Sequence, residues 1–499
     1  MWPYLPLLLV STASALVTRE PPVPAPLGRD LVEEMWVDVR LDHFHASNVD
    51  TFPMRFYYNP EFATTGDHIL IYVGGEWSIS PGWLRAGLMY EAAADAGASM
   101  FYTEHRYYGK TRPTEDTSVS NLRYLTADQA LADLAQFITH VKSEQFEDGK
   151  YRNASVGLVG CSYAGSLATW SRRAAPHLVD VAFSDSGPVR AQEDFPEYLE
   201  VISSALETQG GAACVASVRA GMEGLVALLE TSNGPQRVSE MFNTCAPLTP
   251  SPLDLATFFW FGVTETFAYL VQYATPGDIE QACAKLTDAS VADPTLRLAS
   301  WVTSQSNAQP CIEARYAEVV ASHTNTSYDA EDSVMRLWTY QLCVDYGWWQ
   351  TTSSSAQPFL SAVPIEYFHQ MCQDFYSSDF TRARTTAGIA RTNLLFSPSL
   401  PDRVVSVAGT GDPWSPAGPS ARDATALAPV LVVDGVSHCR AIRPTGDSET
   451  EQLEQAKNSV KEFLKAGLKG EPLFIINSAS GAGASLAVAV VAMFVTLLW

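Results

Sequence analysis

Three side chains that could form a nucleophile, a base and an orienting acid occur in a suggestive order along the chain. Ser162 lies in the stretch Gly160-Cys-Ser-Tyr-Ala-Gly165, directly after the apolar run 156–159 and before a helix-favouring segment. A serine on a tight strand-to-helix turn exposes its hydroxyl above a sheet, and the next N–H, that of Tyr163, can face a developing oxyanion. Ala164 stands where the usual Gly-x-Ser-x-Gly turn has its second glycine, so this turn alone is a weak signal.

The acid and the base follow later, each directly after a strand-like run. Asp412 lies in Gly-Thr-Gly-Asp-Pro-Trp after the run 404–408, and His438 lies in Asp-Gly-Val-Ser-His-Cys after the run 429–433. A nucleophilic serine needs a base to take its proton and an acid to fix the tautomer of that base. The order Ser, Asp, His is that of an α/β hydrolase. Asp434 is the rival acid, but we expect it to share the loop of His438.

Two further motifs follow strand-like runs earlier in the chain. Gly74-Gly75-Glu76-Trp77 comes after the run 68–73, where the N–H of Gly75 could supply a second oxyanion donor; a plain glycine turn is the alternative. Glu104-His-Arg-Tyr-Tyr-Gly-Lys110 comes after the run 100–103. This cluster is either functional or a buried polar network that locks the loop.

The elements around these motifs predict an α/β fold. The apolar runs 68–73, 100–103, 156–159 and 181–184 alternate with helical segments at 88–96, 126–142 and 164–175. Such alternation indicates a parallel sheet with crossover helices. The runs 35–41 and 54–58 alternate in polarity and predict antiparallel strands. Thr126 with Gln129 predicts a capping box.

The central part of the chain differs in character. Between about residues 189 and 375 helical spacing dominates, and six of the eight cysteines lie here. We therefore predict a hydrolase domain in two parts, 36–188 and 376–468, interrupted by a disulfide-linked helical cap domain at 189–375.

Composition and the two ends predict a secreted protein. The chain has 499 residues and a formal charge of −23, which argues against a nucleic-acid partner. Residues 1–15 are typical of a signal peptide, and 477–499 of a glycosylphosphatidylinositol-anchor signal or a short hydrophobic tail. Asn153 and Asn325 begin glycosylation sequons. We expect the cell surface, the extracellular space or a lysosome or vacuole, with neither metal nor cofactor; a homodimer is open.

The motifs together resemble one family of serine peptidases, which includes lysosomal prolyl carboxypeptidase, dipeptidyl peptidase II and thymus-specific serine protease. The resemblance covers most of residues 36–465, and the segment 338–350 is most similar to the thymus-specific branch. The motifs that carry it are Leu41-Asp-His-Phe44, Gly74-Gly-Glu-Trp77, Glu104-His-Arg-Tyr-Tyr-Gly109, Gly160-x-Ser-Tyr-x-Gly165, Asp412-Pro-Trp414 and Ser437-His-Cys439.

The resemblance implies an α/β hydrolase with a helical cap that cleaves proline-containing peptides beside the proline. It implies Ser162, Asp412 and His438 as the triad, and a substrate pocket that includes Trp414, Trp348, Asp345 and Glu104. Asp345 stands where the thymus-specific branch usually has Glu. The implied disulfides are Cys214–Cys283, Cys245–Cys311 and Cys343–Cys372. Cys161 and Cys439 remain, either paired or as small buried side chains.

Three functions compete on these residues. The leading hypothesis is a proline-directed exopeptidase, of Pro-X carboxypeptidase or X-Pro dipeptidyl-peptidase type. An esterase on the same fold is the first alternative, because fold alone does not fix function. A surface binding protein without catalysis is the second, although all three triad positions are filled.

Overall fold

The computed structural model describes residues 20–29, 31–305, 311–446 and 450–473 and contains a mixed eight-stranded sheet. The strands of the chain are β1 (Glu33–Arg40), β2 (Thr51–Asn59), β3 (His68–Val73), β4 (Ser99–Thr103), β5 (Ser155–Cys161), β6 (Val181–Asp185), β7 (Gln192–Asp194), β8 (Gly347–Trp349), β9 (Val404–Gly409) and β10 (Val430–Val433). The large sheet has the order β1-β2-β4-β3-β5-β6-β9-β10.

The sheet is antiparallel at one edge and parallel elsewhere. β2 pairs antiparallel with both β1 and β4, and every pair from β4 to β10 is parallel. The central strands β4, β5 and β6 are buried along almost their whole length. Continuous apolar runs suit this position, because helices cover both faces of a parallel sheet. The predicted α/β-hydrolase fold is confirmed.

Sixteen α-helices accompany the strands in the described residues. They are α1 (Leu88–Ala96), α2 (Val119–Leu122), α3 (Ala127–Val141), α4 (Tyr163–Ala174), α5 (Glu197–Gly210), α6 (Ala212–Leu229), α7 (Gly234–Phe242), α8 (Pro252–Thr257), α9 (Glu265–Gln272), α10 (Asp278–Leu286), α11 (Pro294–Gln305), α12 (Tyr316–His323), α13 (Ser333–Gln341), α14 (Ile365–Phe375), α15 (Arg382–Phe396) and α16 (Glu451–Leu468). Short 3₁₀ turns lie at Pro81–Leu84, Glu147–Gly149 and Ser415–Ala417.

The segment between β7 and α15 is helical, as its spacing predicts. It contains two π-helical turns, Phe258–Thr264 and Leu342–Tyr346, each of which joins or continues an α-helix. β7 and β8 form a separate parallel pair that fixes the start of this segment to its far end. The cap boundaries at 189 and 375 stay a prediction.

Four disulfides link the chain. Three lie in the helical segment and are the pairs that the resemblance implies: Cys214–Cys283, Cys245–Cys311 and Cys343–Cys372. The fourth joins Cys161 to Cys439, which the sequence left open.

One helix of the described part, α6, is long and apolar enough to cross a membrane by length and composition. It also carries the disulfide of Cys214, and Arg219 Nη2 donates to the carbonyl oxygen of Gln357 at 2.7 Å. These links hold α6 in the helical layer. The predicted signal peptide at 1–15 and anchor signal at 477–499 lie outside the described residues.

The capping-box prediction at the start of α3 is wrong. Thr126 makes no side-chain cap hydrogen bond. The N–H of Ala127 donates instead to Asp345 Oδ2 at 3.2 Å, so a carboxylate from the helical segment satisfies this helix terminus.

Candidate active site

Ser162 occupies a strained turn between β5 and α4. Its backbone has φ 57° and ψ −134°, a conformation that non-glycine residues rarely adopt outside functional sites. Its N–H donates to the carbonyl oxygen of Asp185 at 2.9 Å. A Cβ on Gly160 would overlap the carbonyl group of Ala164, and one on Gly165 would lie 2.8 Å from Ser184 Oγ. The small residues are therefore required by the closeness of strand and helix.

His438 and Asp412 form a buried hydrogen-bonded pair. His438 Nδ1 lies 2.8 Å from Asp412 Oδ1, and both residues are almost fully buried. The N–H of Trp414 donates to the same carboxylate oxygen at 2.9 Å. His438 Nε2 is buried and has no hydrogen-bond partner among the described residues. The far nitrogen of the imidazole is thus left for another group.

A disulfide ties the serine turn to the histidine loop. Cys161 and Cys439, the immediate neighbours of Ser162 and His438, have their Cα atoms 5.7 Å apart. The N–H of Cys439 donates to Ser186 Oγ at 3.0 Å, and the N–H of His438 donates to the carbonyl oxygen of Gln272. The structure therefore brings the predicted nucleophile and base to the same end of the sheet.

The two residues predicted as oxyanion donors follow neighbouring strands, β5 and β3. Tyr163 is the first residue of α4, where an N–H has no acceptor within its own helix. Gly75 follows β3, the neighbour of β5 in the sheet, and a Cβ at this position would overlap the indole of Trp77. Position 75 therefore accommodates glycine and no residue with a Cβ, unless the Trp77 side chain moves.

Glu76, next to Gly75, is a buried carboxyl group without a cationic partner among the described contacts. Its exposed fraction is 1%, and its Oε2 has no hydrogen-bond partner in the described part of the chain. Burial raises the pKa of Glu76 to about 8. The side chain is therefore neutral at physiological pH.

The cluster that begins at Glu104 forms a buried polar network. Glu104 Oε1 accepts from Arg55 Nη2 at 2.5 Å, and Oε2 accepts from the backbone and hydroxyl of Thr111, each at 2.9 Å. His105 Nε2 lies 3.1 Å from the hydroxyl of Tyr163. Burial lowers the pKa of His105 to about 4, so it is neutral. Both carboxylate oxygens of Glu104, which was predicted in the substrate pocket, accept hydrogen bonds inside this network.

Asp345, also predicted in the substrate pocket, lies in a second buried polar network. It is buried, and its Oδ1 pairs with Arg391 Nη2 at 2.5 Å while Oδ2 accepts from Ala127. Burial raises the pKa of Asp345 to about 6, against the lowering effect of Arg391. The carboxylate joins the second π-helical turn to α15 and to the start of α3.

An aromatic cavity begins beside the buried pair of His438 and Asp412. Trp414 forms part of its wall, with its indole ring 6.4 Å from the ring of His438, and Trp348 packs edge-on against Trp414 at 5.7 Å. The remaining lining residues are Tyr198, Trp260, Phe261, Glu265, Ala268, His323, Met335, Trp338, Thr339, Leu342, Trp349, Gln350, Phe368 and Met371. Trp414 and Trp348, both predicted in the substrate pocket, thus line this cavity.

Several lining residues escaped the sequence analysis. No site residue is predicted from the sequence in the aromatic run at 258–261, yet Trp260 and Phe261 line the cavity. Gln272 was not singled out, although its Oε1 accepts from Trp414 Nε1 at 3.0 Å and from the hydroxyl of Tyr198 at 2.7 Å. No local motif marks these positions, since they meet only through tertiary packing.

The two predicted glycosylation sites, Asn153 and Asn325, are both exposed. Their side chains are accessible to a modifying enzyme.

Comparison with known proteins adds independent information. The profile of the family described as serine carboxypeptidase S28 matches residues 39–460. The chain is 30% identical to the thymus-specific serine protease of Mus musculus, over 87% of each chain. It is 26% identical to the lysosomal Pro-X carboxypeptidase of Homo sapiens, over 87% of this chain and 90% of that one. A solved proline iminopeptidase of Mycobacterium smegmatis aligns with a TM-score of 0.36 and 12% identity, over 87% of this chain and 99% of that one.

Proposed function

We propose, since the chain belongs to the serine carboxypeptidase S28 family and is a serine-type peptidase, that it cleaves peptide bonds next to proline with Ser162, His438 and Asp412 as its triad. The observation that carries this proposal is the buried hydrogen bond of 2.8 Å between Asp412 and His438. The Cys161–Cys439 disulfide links the loop of His438 to the strained turn of Ser162. In this assignment Ser162 is the nucleophile, His438 is its base and Asp412 orients the base, which is the arrangement that acyl transfer requires.

In each half of the proposed mechanism, acylation and deacylation, His438 accepts one proton and donates one. Ser162 Oγ attacks the scissile carbonyl carbon while His438 Nε2 takes the hydroxyl proton, and Asp412 holds the opposite ring nitrogen and stabilises the imidazolium. The N–H groups of Tyr163 and Gly75 stabilise the oxyanion. His438 then gives its proton to the leaving amine, which departs. Water, activated by His438, hydrolyses the acyl-enzyme and regenerates the serine hydroxyl.

Proline preference is proposed from the cavity wall. Trp414 and Trp348 present aromatic surface next to His438, and aromatic faces suit the apolar, rigid ring of proline. A relative whose name specifies Pro-X cleavage, the human carboxypeptidase, supports the same substrate class.

The test labels the secreted protein with a fluorophosphonate beside Ser162→Ala, and compares turnover of proline-containing peptides, their proline-to-alanine counterparts and simple acyl esters. We expect labelling that the variant loses, and cleavage that depends on proline. Turnover of esters with no preference for proline would favour the ester-hydrolase alternative. A folded wild-type protein that takes up no label would contradict the catalytic assignment altogether.

We further propose that the mature protein is tethered outside the cell. Its four disulfides fit the oxidising secretory pathway, and the sequence of 477–499 is typical of an anchor signal. A phosphatidylinositol-specific phospholipase should release the protein from cells; retention after this treatment would contradict the lipid anchor.

A further inference from the structure

The hydroxyl of Tyr163 lies at the centre of a buried polar network beside the candidate nucleophile. Tyr163 directly follows Ser162, begins α4 and has an exposed fraction of 1%. Its hydroxyl oxygen lies 3.1 Å from His105 Nε2. The same oxygen accepts from Gln341 Nε2 at 3.1 Å and from the hydroxyl of Tyr346 at 3.0 Å. Side chains from two distant parts of the chain thus meet at one atom.

The direction of these hydrogen bonds follows from the protonation of His105. Burial lowers the pKa of His105 to about 4, so the ring is neutral at physiological pH and carries one proton. Its Nδ1 lies 2.8 Å from the carbonyl oxygen of Arg106, which can only accept, so Nδ1 holds that proton. Nε2 is therefore an acceptor, and the Tyr163 hydroxyl donates to it. Burial raises the pKa of Tyr163, so the hydroxyl keeps its proton.

The hydroxyl of Tyr163 uses its whole hydrogen-bonding capacity in this network. A phenolic hydroxyl can donate one proton and can also accept. The proton is donated to His105, and the oxygen accepts from Gln341 and Tyr346. Gln341 is itself oriented, because its Oε1 accepts from the hydroxyl of Tyr108 at 2.6 Å. A buried network in which every member is satisfied is rigid and holds one arrangement.

The part of the helical segment that contacts Tyr163 also lines the aromatic cavity. Gln341 ends α13, and Tyr346 ends the π-helical turn that follows it. The ring of Trp338, also in α13, lies 5.5 Å from that of Tyr163. Trp348 stacks on Tyr346 at 4.7 Å between ring centres. Both tryptophans line the cavity, so one short stretch of chain contacts both the cavity and the residue after the nucleophile.

The side chain of Tyr163 bears on the oxyanion site because the N–H of this residue is the proposed donor. A donor stabilises the oxyanion only when it lies about 2.7–3.1 Å from the developing charge. Ser162, the residue before it, has φ 57°, a conformation that persists only where the surrounding structure enforces it. Contacts that immobilise the Tyr163 side chain therefore also restrain the direction of its N–H.

We propose that the Tyr163 hydroxyl is a positioning group that links the oxyanion N–H of the same residue to the helical segment through Gln341 and Tyr346. The helical segment thereby sets the geometry of the oxyanion site in addition to lining the cavity. His105 supplies the matching contact from the loop after β4. This inference rests on the triad and the oxyanion donors of the proposed function.

The kinetic test compares wild type with Tyr163→Phe, Tyr346→Phe and Tyr151→Phe, using the proline peptide that wild type cleaves best. Tyr151 is the matched control, because its buried hydroxyl lies 2.7 Å from that of Tyr58 and 2.6 Å from Ser99 Oγ, at the opposite end of the sheet. We expect Tyr163→Phe to lower kcat roughly tenfold or more with KM little changed, because oxyanion stabilisation acts in the transition state. Tyr346→Phe should lower kcat less, since Gln341 still donates, and Tyr151→Phe should retain both constants.

Two further measurements separate positioning from stability and from the proposed substrate. The rate of fluorophosphonate labelling depends on the nucleophile and the oxyanion site but not on peptide cleavage, and it should fall in Tyr163→Phe in parallel with kcat. The double variant Tyr163→Phe/Tyr346→Phe should be no slower than Tyr163→Phe alone, because the Tyr346 hydroxyl acts through that of Tyr163. Thermal unfolding checks that every variant is folded at the assay temperature.

Three results would overturn the inference. These are a labelling rate in Tyr163→Phe equal to that of wild type, an equal loss in Tyr151→Phe, and fully additive effects of the substitutions at 163 and 346. Wild type that takes up label but cleaves no proline peptide would contradict the proposed substrate alone, and the labelling rates would still decide the role of Tyr163. Folded wild type that takes up no label would refute the triad and this inference with it.

Discussion

At the residue scale, the buried carboxyl groups of Asp185 and Glu76 differ in their hydrogen-bond partners. Asp185 accepts a hydrogen bond from the N–H of Ile442 at 2.9 Å, and burial raises its pKa to about 7 despite this bond and the nearby His438. Glu76 has no such support at Oε2, and burial raises its pKa to about 8. Because Glu76 adjoins Gly75 in the chain, its charge state bears on the oxyanion site.

We predict that ionisation of Glu76 limits activity at alkaline pH. Below about pH 8 the side chain is neutral; above it, a carboxylate next to Gly75 opposes the developing oxyanion. In wild type, kcat/KM should fall as pH rises through about 8. Glu76→Gln, which is neutral throughout, should lack this fall. A pH profile of both proteins between 5 and about 10 makes the comparison.

The stability of the two proteins provides the control. The unfolded carboxyl group has its ordinary pKa of 4.5, so the native state retains the proton longer than the unfolded state. Stability from this group is therefore fully present below pH 4.5 and is lost as pH rises through about 8. Glu76→Gln should show a smaller loss of thermal stability over this range. An alkaline fall in activity that is identical in both proteins would contradict the assignment.

The placement of the candidate triad residues at strand ends could be predicted from sequence, because a local motif fixes the surroundings of each one. Ser162, Asp412 and His438 each follow a strand, and parallel strands that are neighbours bring their carboxyl ends together. The buried partners of Asp345 and Glu104 could not be predicted, because Arg391 and Arg55 lie 46 and 49 residues away. A carboxylate in a sequence does not show which cation it will find.

At the element scale, the Cys161–Cys439 disulfide fixes the histidine loop to the end of β5. Cys439 has φ 56°, a conformation that a non-glycine residue adopts only when its surroundings enforce it. The two residues are 278 positions apart, so the cross-link closes a far longer loop than any of the other three. It is the direct covalent link between the strand of Ser162 and the loop of His438.

We predict that Cys161→Ala/Cys439→Ala lowers kcat and leaves KM nearly unchanged. Without the cross-link the base samples positions away from Ser162, and a misplacement of about 1 Å can cost up to roughly a hundredfold in rate. The lining of the aromatic cavity does not include either cysteine. Steady-state kinetics well below the melting temperature measure the effect.

The matched control removes Cys245–Cys311, which lies in the helical segment. This variant should lose thermal stability, as disulfide removal does in general, but should keep kcat. Equal loss of kcat in the two variants would show that the effect is global destabilisation and not positioning of His438.

Most strands and helices could be predicted because their patterns are strong. The helix at 88–96 was located with its exact bounds, and the strand after it within one residue. The π-helical turns could not be predicted, since each one interrupts helical spacing by a single extra residue without a distinct motif. The prediction of a capping box at α3 failed for a different reason. Asp345, which is distant in sequence, accepts the hydrogen bond from the N–H of Ala127 in place of a cap by the Thr126 side chain.

At the scale of the whole molecule, the cavity forms only when segments that are distant in the chain pack together. Its walls come from residues between Tyr198 and Trp414, on at least five separate elements, and the β7–β8 pair holds the two ends of the helical segment together. The sequence predicted a helical layer over the sheet but not which of its faces would line the cavity. Only the packed chain brings Glu265 to the same cavity as Trp414.

The charge of the whole chain predicts how substrates are attracted. A formal charge of −23 creates a negative potential that concentrates cationic peptides near the protein, and salt screens this potential beyond a Debye length of about 10 Å at 0.1 M. We therefore expect kcat/KM for a Lys-Pro reporter to fall several-fold between roughly 0.02 and 0.5 M salt. A Gln-Pro reporter keeps the α-amine but lacks the second charge, and its kcat/KM should fall less. The ratio of the two values isolates the long-range effect from the local contacts of the α-amine, which both substrates share. A ratio that is constant across the salt range would show that the net charge does not act on the substrate, and that recognition depends on local contacts in the cavity alone.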